Sequence, residues 1–87
     1  MRRKHELESI MKWILATENK KTILTFIHKR TNLSFSTFMK MRKYLEKNDY
    51  ITSEKDGLVR YIYLTKKGKK FYNAARIINN LSENDTK

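Results

Sequence analysis

The chain has no cysteine and no proline, only two glycines among 87 residues, and nine acidic residues against twenty Lys and Arg. Without cysteine there is no disulfide framework, no thiolate nucleophile and no cysteine metal site. Two glycines are too few for a phosphate-cradling loop, and without proline there is no Pro-rich linker. Long apolar runs are also missing, so no segment can span a bilayer. The start Met1-Arg2-Arg3-Lys4 lacks the apolar stretch of a secretory signal. The cytoplasm is the expected compartment, or a host's cytoplasm if the source is viral.

What is present is a core's worth of apolar side chains and a large positive charge. Hydrophobic residues make up 39% of the chain, with five Tyr, four Phe and one Trp. That suits one small domain without staples and argues against disorder over most of its length. The net charge of +11 asks for a polyanion. It is spread over several elements rather than gathered beside an amphipathic anchor, which favours nucleic acid over a membrane surface. His5 and His28 are far apart and lack the cysteine or carboxylate spacing of a metal or nucleophile site, so neither an enzyme nor a metal nor a cofactor is expected.

The most informative stretch is 34–64. At 3.6 residues per turn Phe38, Met41 and Leu45 share one face, and Ser36, Lys40, Lys43 and Lys47 the opposite one. Glu46 is the only acid between Ser34 and Lys47, and Ser34 is placed as the N-cap. The helix is expected to stop at Asn48-Asp49. Extended segments 51–55 and 58–64 follow, joined by Asp56-Gly57, whose positions would take the positive φ of a hairpin turn.

Upstream, Leu7, Ile10, Met11 and Ile14 recur at helical spacing and predict a first helix, with Trp13 off that stripe at a core margin or against another subunit. Thr17-Glu18-Asn19 reads as a break. A second helix is expected over Lys20 to Arg30, with Ile23, Leu24, Phe26 and Ile27 inward and Thr25, His28 and Lys29 toward water. Thr65 is placed as the cap of a last helix running through Phe71, Ala74, Ala75, Ile78 and Leu81. Its four opening lysines oppose the helix dipole and need phosphate or solubility to explain them. The domain is bounded as 6–81, between a flexible basic arm at 1–5 and a disordered polar tail at 82–87.

The order helix, helix, turn, helix, hairpin, helix resembles the winged helix-turn-helix family, in particular its small archaeal and archaeal-virus regulators. Two segments carry the likeness. Leu33-Ser34-Phe35-Ser36-Thr37-Phe38 through Tyr44-Leu45-Glu46-Lys47-Asn48-Asp49-Tyr50-Ile51 is similar to a recognition helix and its exit into the wing. Tyr61-Ile62-Tyr63-Leu64-Thr65-Lys66-Lys67-Gly68-Lys69-Lys70-Phe71 is similar to the last wing strand and the Leu-Thr-x-x-Gly opening of the next helix. Two positions depart from the family pattern: Asp49 stands where glycine is common, and Arg42 where an apolar residue is common.

The resemblance implies an α+β, mostly helical fold and a double-stranded DNA partner. It places the helix over about 34–48 in the major groove and the wing over 51–64 on the backbone or minor groove. Ser36, Thr37 and Lys40 would lie nearest the bases, with Ser34 counted among the DNA-binding residues at the helix start and Lys43 and Lys47 further along toward phosphates. Arg42 is that helix's one bidentate donor, and Lys55 and Arg60 flank the wing tip. Lys20, Lys21 and Arg2-Arg3-Lys4 are lesser phosphate candidates. Trp13, Leu15, Ile77, Ile78 and Leu81 are grouped as a homodimer interface, and no small-molecule effector pocket is evident. The expected role is transcription regulation at preferred sites. The alternatives are an architectural, chromatin-like DNA coater and a winged-helix protein-interaction module.

Overall fold

The computed structural model describes the backbone of residues 2–85 and the side chains of residues 7–81. The basic arm and the polar tail therefore lie outside the described side chains. In chain order the elements are α1 (Arg2–Ala16), β1 (Thr22–Ile23), α2 (Leu24–Thr31), α3 (Phe35–Lys47), β2 (Ile51–Asp56), β3 (Val59–Leu64) and α4 (Lys66–Asp85). The three strands form one antiparallel sheet in the order β1-β3-β2.

Threonines end α1. Thr17 Oγ1 donates to Ile14 O at 2.6 Å, Glu18 and Asn19 both take φ 55, and Thr22 Oγ1 reaches Thr17 O at 3.0 Å. Arg30 reaches back from α2 to donate to Ala16 O at 2.8 Å, closing one of the carbonyls a helix end leaves open. Thr17 and Thr22 are buried with these bonds made, as is Thr31, whose Oγ1 donates to His28 O at 2.9 Å, and among the described residues no buried side-chain polar atom lacks a partner.

The second helix is shorter than its periodicity suggests. Thr22 and Ile23 pair with Ile62 and Tyr61 as an edge strand, so α2 opens at Leu24. Two β-branched residues are too few to read as a strand alone, and only the partner strand claims them. Phe26 is exposed rather than inward, as is Leu7 on α1. His28 is half-buried instead of facing water: its ring lies 4.6 Å from that of Phe38, and Nε2 donates to Leu33 O at 2.9 Å.

Trp13 is also corrected. It is fully buried within one chain, its Nε1 donates to Phe38 O at 3.1 Å, and its ring stacks on Phe38 at 5.0 Å. A side chain enclosed in this way cannot face another subunit. Trp13, Phe38 and His28 thus form an aromatic column through α1, α3 and α2 that sets the roll of α3. Ile14, Ile27, Met41, Leu45, Ile51, Ile62, Leu64 and Ala75 complete the core.

The turn of the hairpin is displaced by one residue. Asp56 pairs with Val59, so the two turn residues are Gly57 and Leu58. Positive φ occurs at Gly57 (65°) and not at Leu58, the φ signature of a II′ turn. At the end of α3 it is Asp49, at φ 65, that takes the left-handed conformation, and Asn48 Nδ2 donates to Tyr44 O at 2.8 Å.

The start of α4 explains the Leu-Thr-x-x-Gly segment. Thr65 Oγ1 accepts from Gly68 N at 3.0 Å, and Thr65 N donates to Tyr50 O at 3.1 Å, stitching α4 to the exit of α3. A Cβ on Gly68 would lie 1.9 Å from Tyr50 O, a backbone atom with no rotamer to yield. Gly68→Ala should therefore cost about 2–3 kcal/mol of overpacking, less up to about 1 kcal/mol of helix propensity regained. The expected result is a thermal midpoint lower by about 10 °C; an unchanged midpoint would mean that α4 is not seated against Tyr50.

Candidate nucleic-acid interface

Ser34 caps α3, with φ −61 and ψ 154 and its Oγ accepting from Thr37 N at 3.3 Å. The Ser34 hydroxyl in turn donates to Thr37 Oγ1 at 3.0 Å. One hydroxyl proton is thus committed to the cap, while Thr37 keeps its own. With Phe38, Met41 and Leu45 buried, helix geometry carries Ser36, Lys40, Lys43 and Lys47 to the far side, and all four are exposed. Among the described residues no carboxylate pairs with Lys40, Lys43 or Lys47. Like charges crowd one stripe and repel each other, an arrangement a row of phosphates would relieve.

Arg42 departs from the sequence expectation. Its side chain is only 15% exposed, and Nε donates to Glu46 Oε2 at 3.3 Å, one helical turn away. It lies on the flank of α3 rather than on the lysine stripe, and Glu46 engages its Nε. The one acid of this helix therefore neutralises its one arginine and leaves the lysines unopposed.

On the wing, Lys55 stands directly opposite Arg60 in register, on the same face as the pair Ser53 and Ile62. Arg60 is half-buried and donates to Ser53 Oγ at 3.3 Å, while Lys55 is exposed. Two cations in direct cross-strand opposition destabilise an isolated hairpin, and an anion nearby offsets that cost. The other face of the sheet is different. There Lys21 sits 3.2 Å from Glu54 and 4.7 Å from the Tyr61 ring centroid. The hydrogen bond and charge of Glu54 hold the Lys21 ammonium above the usual lysine range. Lys20 pairs with Glu18 at 3.3 Å. Both lysines are thus already partnered, unlike those of α3.

The residues grouped as a dimer interface do not all come together. Trp13 belongs to the core and Leu15 is half-buried against it, whereas Ile77, Ile78 and Leu81 are 61%, 49% and 58% exposed. They lie beyond Ala75, the last core residue of α4. Sequence reasoning missed three exposed apolar or aromatic side chains near the charged surfaces: Phe35 at the first turn of α3, Tyr44 one turn after Lys40, and Leu58 at the wing tip. Leu58 could have been found only with the correct turn register. Among the described residues no cluster of His, Asp or Glu could hold a metal, and no helix is long and apolar enough to cross a membrane.

A family model described as winged helix-turn-helix DNA binding matches residues 3–65. Comparison with curated proteins by sequence finds no match. Among solved structures, AF1382 from Archaeoglobus fulgidus is similar with a TM-score of 0.73 at 19% identity, over 86% of this chain and 87% of that one. The adhesin competence repressor AdcR from Streptococcus pyogenes is similar with a TM-score of 0.78 at 21% identity, over 90% of this chain and 60% of its own. FabT from Streptococcus pneumoniae, solved in complex with DNA, gives 0.69 at 15%, over 91% of this chain and 57% of its own. This chain thus spans under two thirds of the length of the two streptococcal proteins.

Proposed function

The chain belongs to the winged helix-turn-helix DNA-binding family, and from that premise we propose that it is a regulator of transcription that prefers particular sites on double-stranded DNA. In this reading α3 enters the major groove with Ser36, Thr37 and Lys40 nearest the bases and Lys43 and Lys47 on phosphates, while Lys55 and Arg60 bring the wing to the adjacent backbone or minor groove. The observation that carries it is the unpaired lysine stripe, Lys40, Lys43 and Lys47, on the side of α3 opposite its buried residues. That FabT was solved with DNA is consistent with it.

A homodimer is part of the same reading. Ile77, Ile78 and Leu81 leave apolar area uncovered on the far part of α4, and a two-fold pairing there would set two recognition helices toward two half-sites. One observation favours a second reading, an architectural coater without site preference: Arg42 is engaged by Glu46. That leaves lysines, which attract phosphates but lack the fork that reads guanine.

A salt titration of binding to short random duplex and to the DNA upstream of the protein's own gene, with the mass of the complex measured in parallel, separates these readings. A dimer preferring the upstream duplex by about tenfold or more, with affinity falling steeply in salt, is the expected outcome. Equal affinity with progressive coating would replace site preference with the architectural reading. Absence of binding at low salt would leave a winged-helix module that contacts protein.

A further inference from the structure

The wing tip carries an apolar residue where hairpins use polar ones. Leu58 is the second turn residue, is fully exposed, and is followed by Val59, also exposed. Two-residue turns favour Asn, Asp, Ser or Gly. Gly57 already supplies the positive φ, so nothing in the turn requires a leucine, and a side chain in open solvent adds no packing. Solitary exposed leucines are ordinary on protein surfaces; the placement sets this one apart.

Directly behind the turn the exposed Asp56 pairs with Val59, and one pair further back Lys55 and Arg60 are opposed in register on one face of the ribbon. The last fully buried residue of β3 is Ile62, four residues back, so the tip stands off the core by roughly 13 Å at about 3.3 Å per residue. A B-form minor groove is about 7.5 Å deep and about 6 Å wide. The ribbon's strands lie about 4.8 Å apart before side chains are added, so only the turn enters such a groove, reaching the floor as the groove widens and leaving the two cations at the phosphate rims.

We propose that Leu58 is an apolar wedge that enters the minor groove and presses between stacked base pairs, opening one step and bending the duplex toward the major groove. This rests on the duplex-binding reading above. Opening a step costs least at flexible pyrimidine–purine steps, TA and CA/TG. Leu58 therefore selects sites by deformability without a hydrogen bond to any base, which suits a recognition helix whose one arginine is engaged.

The test uses the full chain, a short duplex with 2-aminopurine at a central TA step, and dyes at both ends. Wild type should raise the 2-aminopurine fluorescence and shorten the end-to-end distance by an amount matching a bend of roughly 20° or more. Leu58→Asn, which suits the turn, should keep the thermal midpoint and the salt slope, bind about tenfold more weakly, and lose both signals. Leu58→Met should retain them. Equal affinity, fluorescence and bending in Leu58→Asn would overturn the wedge while leaving duplex binding intact. Failure of wild type to bind any duplex would remove the wedge and the DNA reading together. A Leu58→Asn defect seen only on anionic vesicles, with duplex binding unchanged, would assign the tip to a lipid surface instead.

Discussion

The triple variant Lys40→Ala/Lys43→Ala/Lys47→Ala is expected to bind duplex roughly 60-fold more weakly at about 0.1 M salt through its lost phosphate contacts, and weaker still by whatever Lys40 contributes at the bases. Each phosphate contact contributes about 0.9 to the slope of log affinity against log salt, hence about 0.9 log units per decade of salt below 1 M, and the two contacts of Lys43 and Lys47 sum to about 1.8. The slope itself should become shallower by about 1.8, a signature that general damage to the fold would not produce. All three side chains are exposed and, among the described residues, have no carboxylate partner, so removing them leaves the core untouched and lessens self-repulsion in a chain of +11. Thermal unfolding of the variant should therefore match or exceed wild type. A slope equal to that of wild type would mean that the stripe is an ordinary solvated face.

The second large effect is on stability. Trp13→Ala removes a fully buried indole, its stack on Phe38 at 5.0 Å and its hydrogen bond to Phe38 O. Truncations of this kind cost about 3–5 kcal/mol. A domain of this size has on the order of 5–10 kcal/mol in all, so the variant should be partly unfolded near physiological temperature, read as a large fall in the urea midpoint. Trp13→Phe keeps an aromatic ring against Phe38 but loses the N–H and part of the indole, and should cost about 1–3 kcal/mol. Because Phe38 lies on α3, the alanine variant should also weaken DNA binding by letting α3 rotate under its lysines. A loss under about 1 kcal/mol on Trp13→Ala would contradict its place in the core.

These two effects separate what periodicity can and cannot say. The lysine stripe was legible because charge opposite a row of apolar residues is a property of one helix, and Phe38, Met41 and Leu45 are buried where their spacing puts them. Trp13 was misread because its position off the first helix's stripe says only where it points, not what waits there. The ring of Phe38, from a helix some 25 residues later, waits there. The setting of Arg42 was hidden for a related reason: the sequence shows that Glu46 lies one turn on, but not that the Arg42 side chain is only 15% exposed and bonded to it.

By itself the sequence determined the elements whose signals are local. These are the helices with their apolar faces, the Ser34 and Thr65 caps, the break at Glu18-Asn19, a hairpin near Gly57 and the excess of positive charge, and from their order it determined the fold class. Caps, helical periods and turn glycines act over a few residues, so the chain carries them wherever it is folded. Tertiary structure alone decided that Thr22–Ile23 becomes a strand, since only β3 supplies the missing backbone partners. It decided that the turn sits on Gly57-Leu58, because register is set by which inward residues meet the core across the ladder. It also decided that Gly68 must lack a side chain, because Tyr50 O, distant in sequence, occupies the place a Cβ would need.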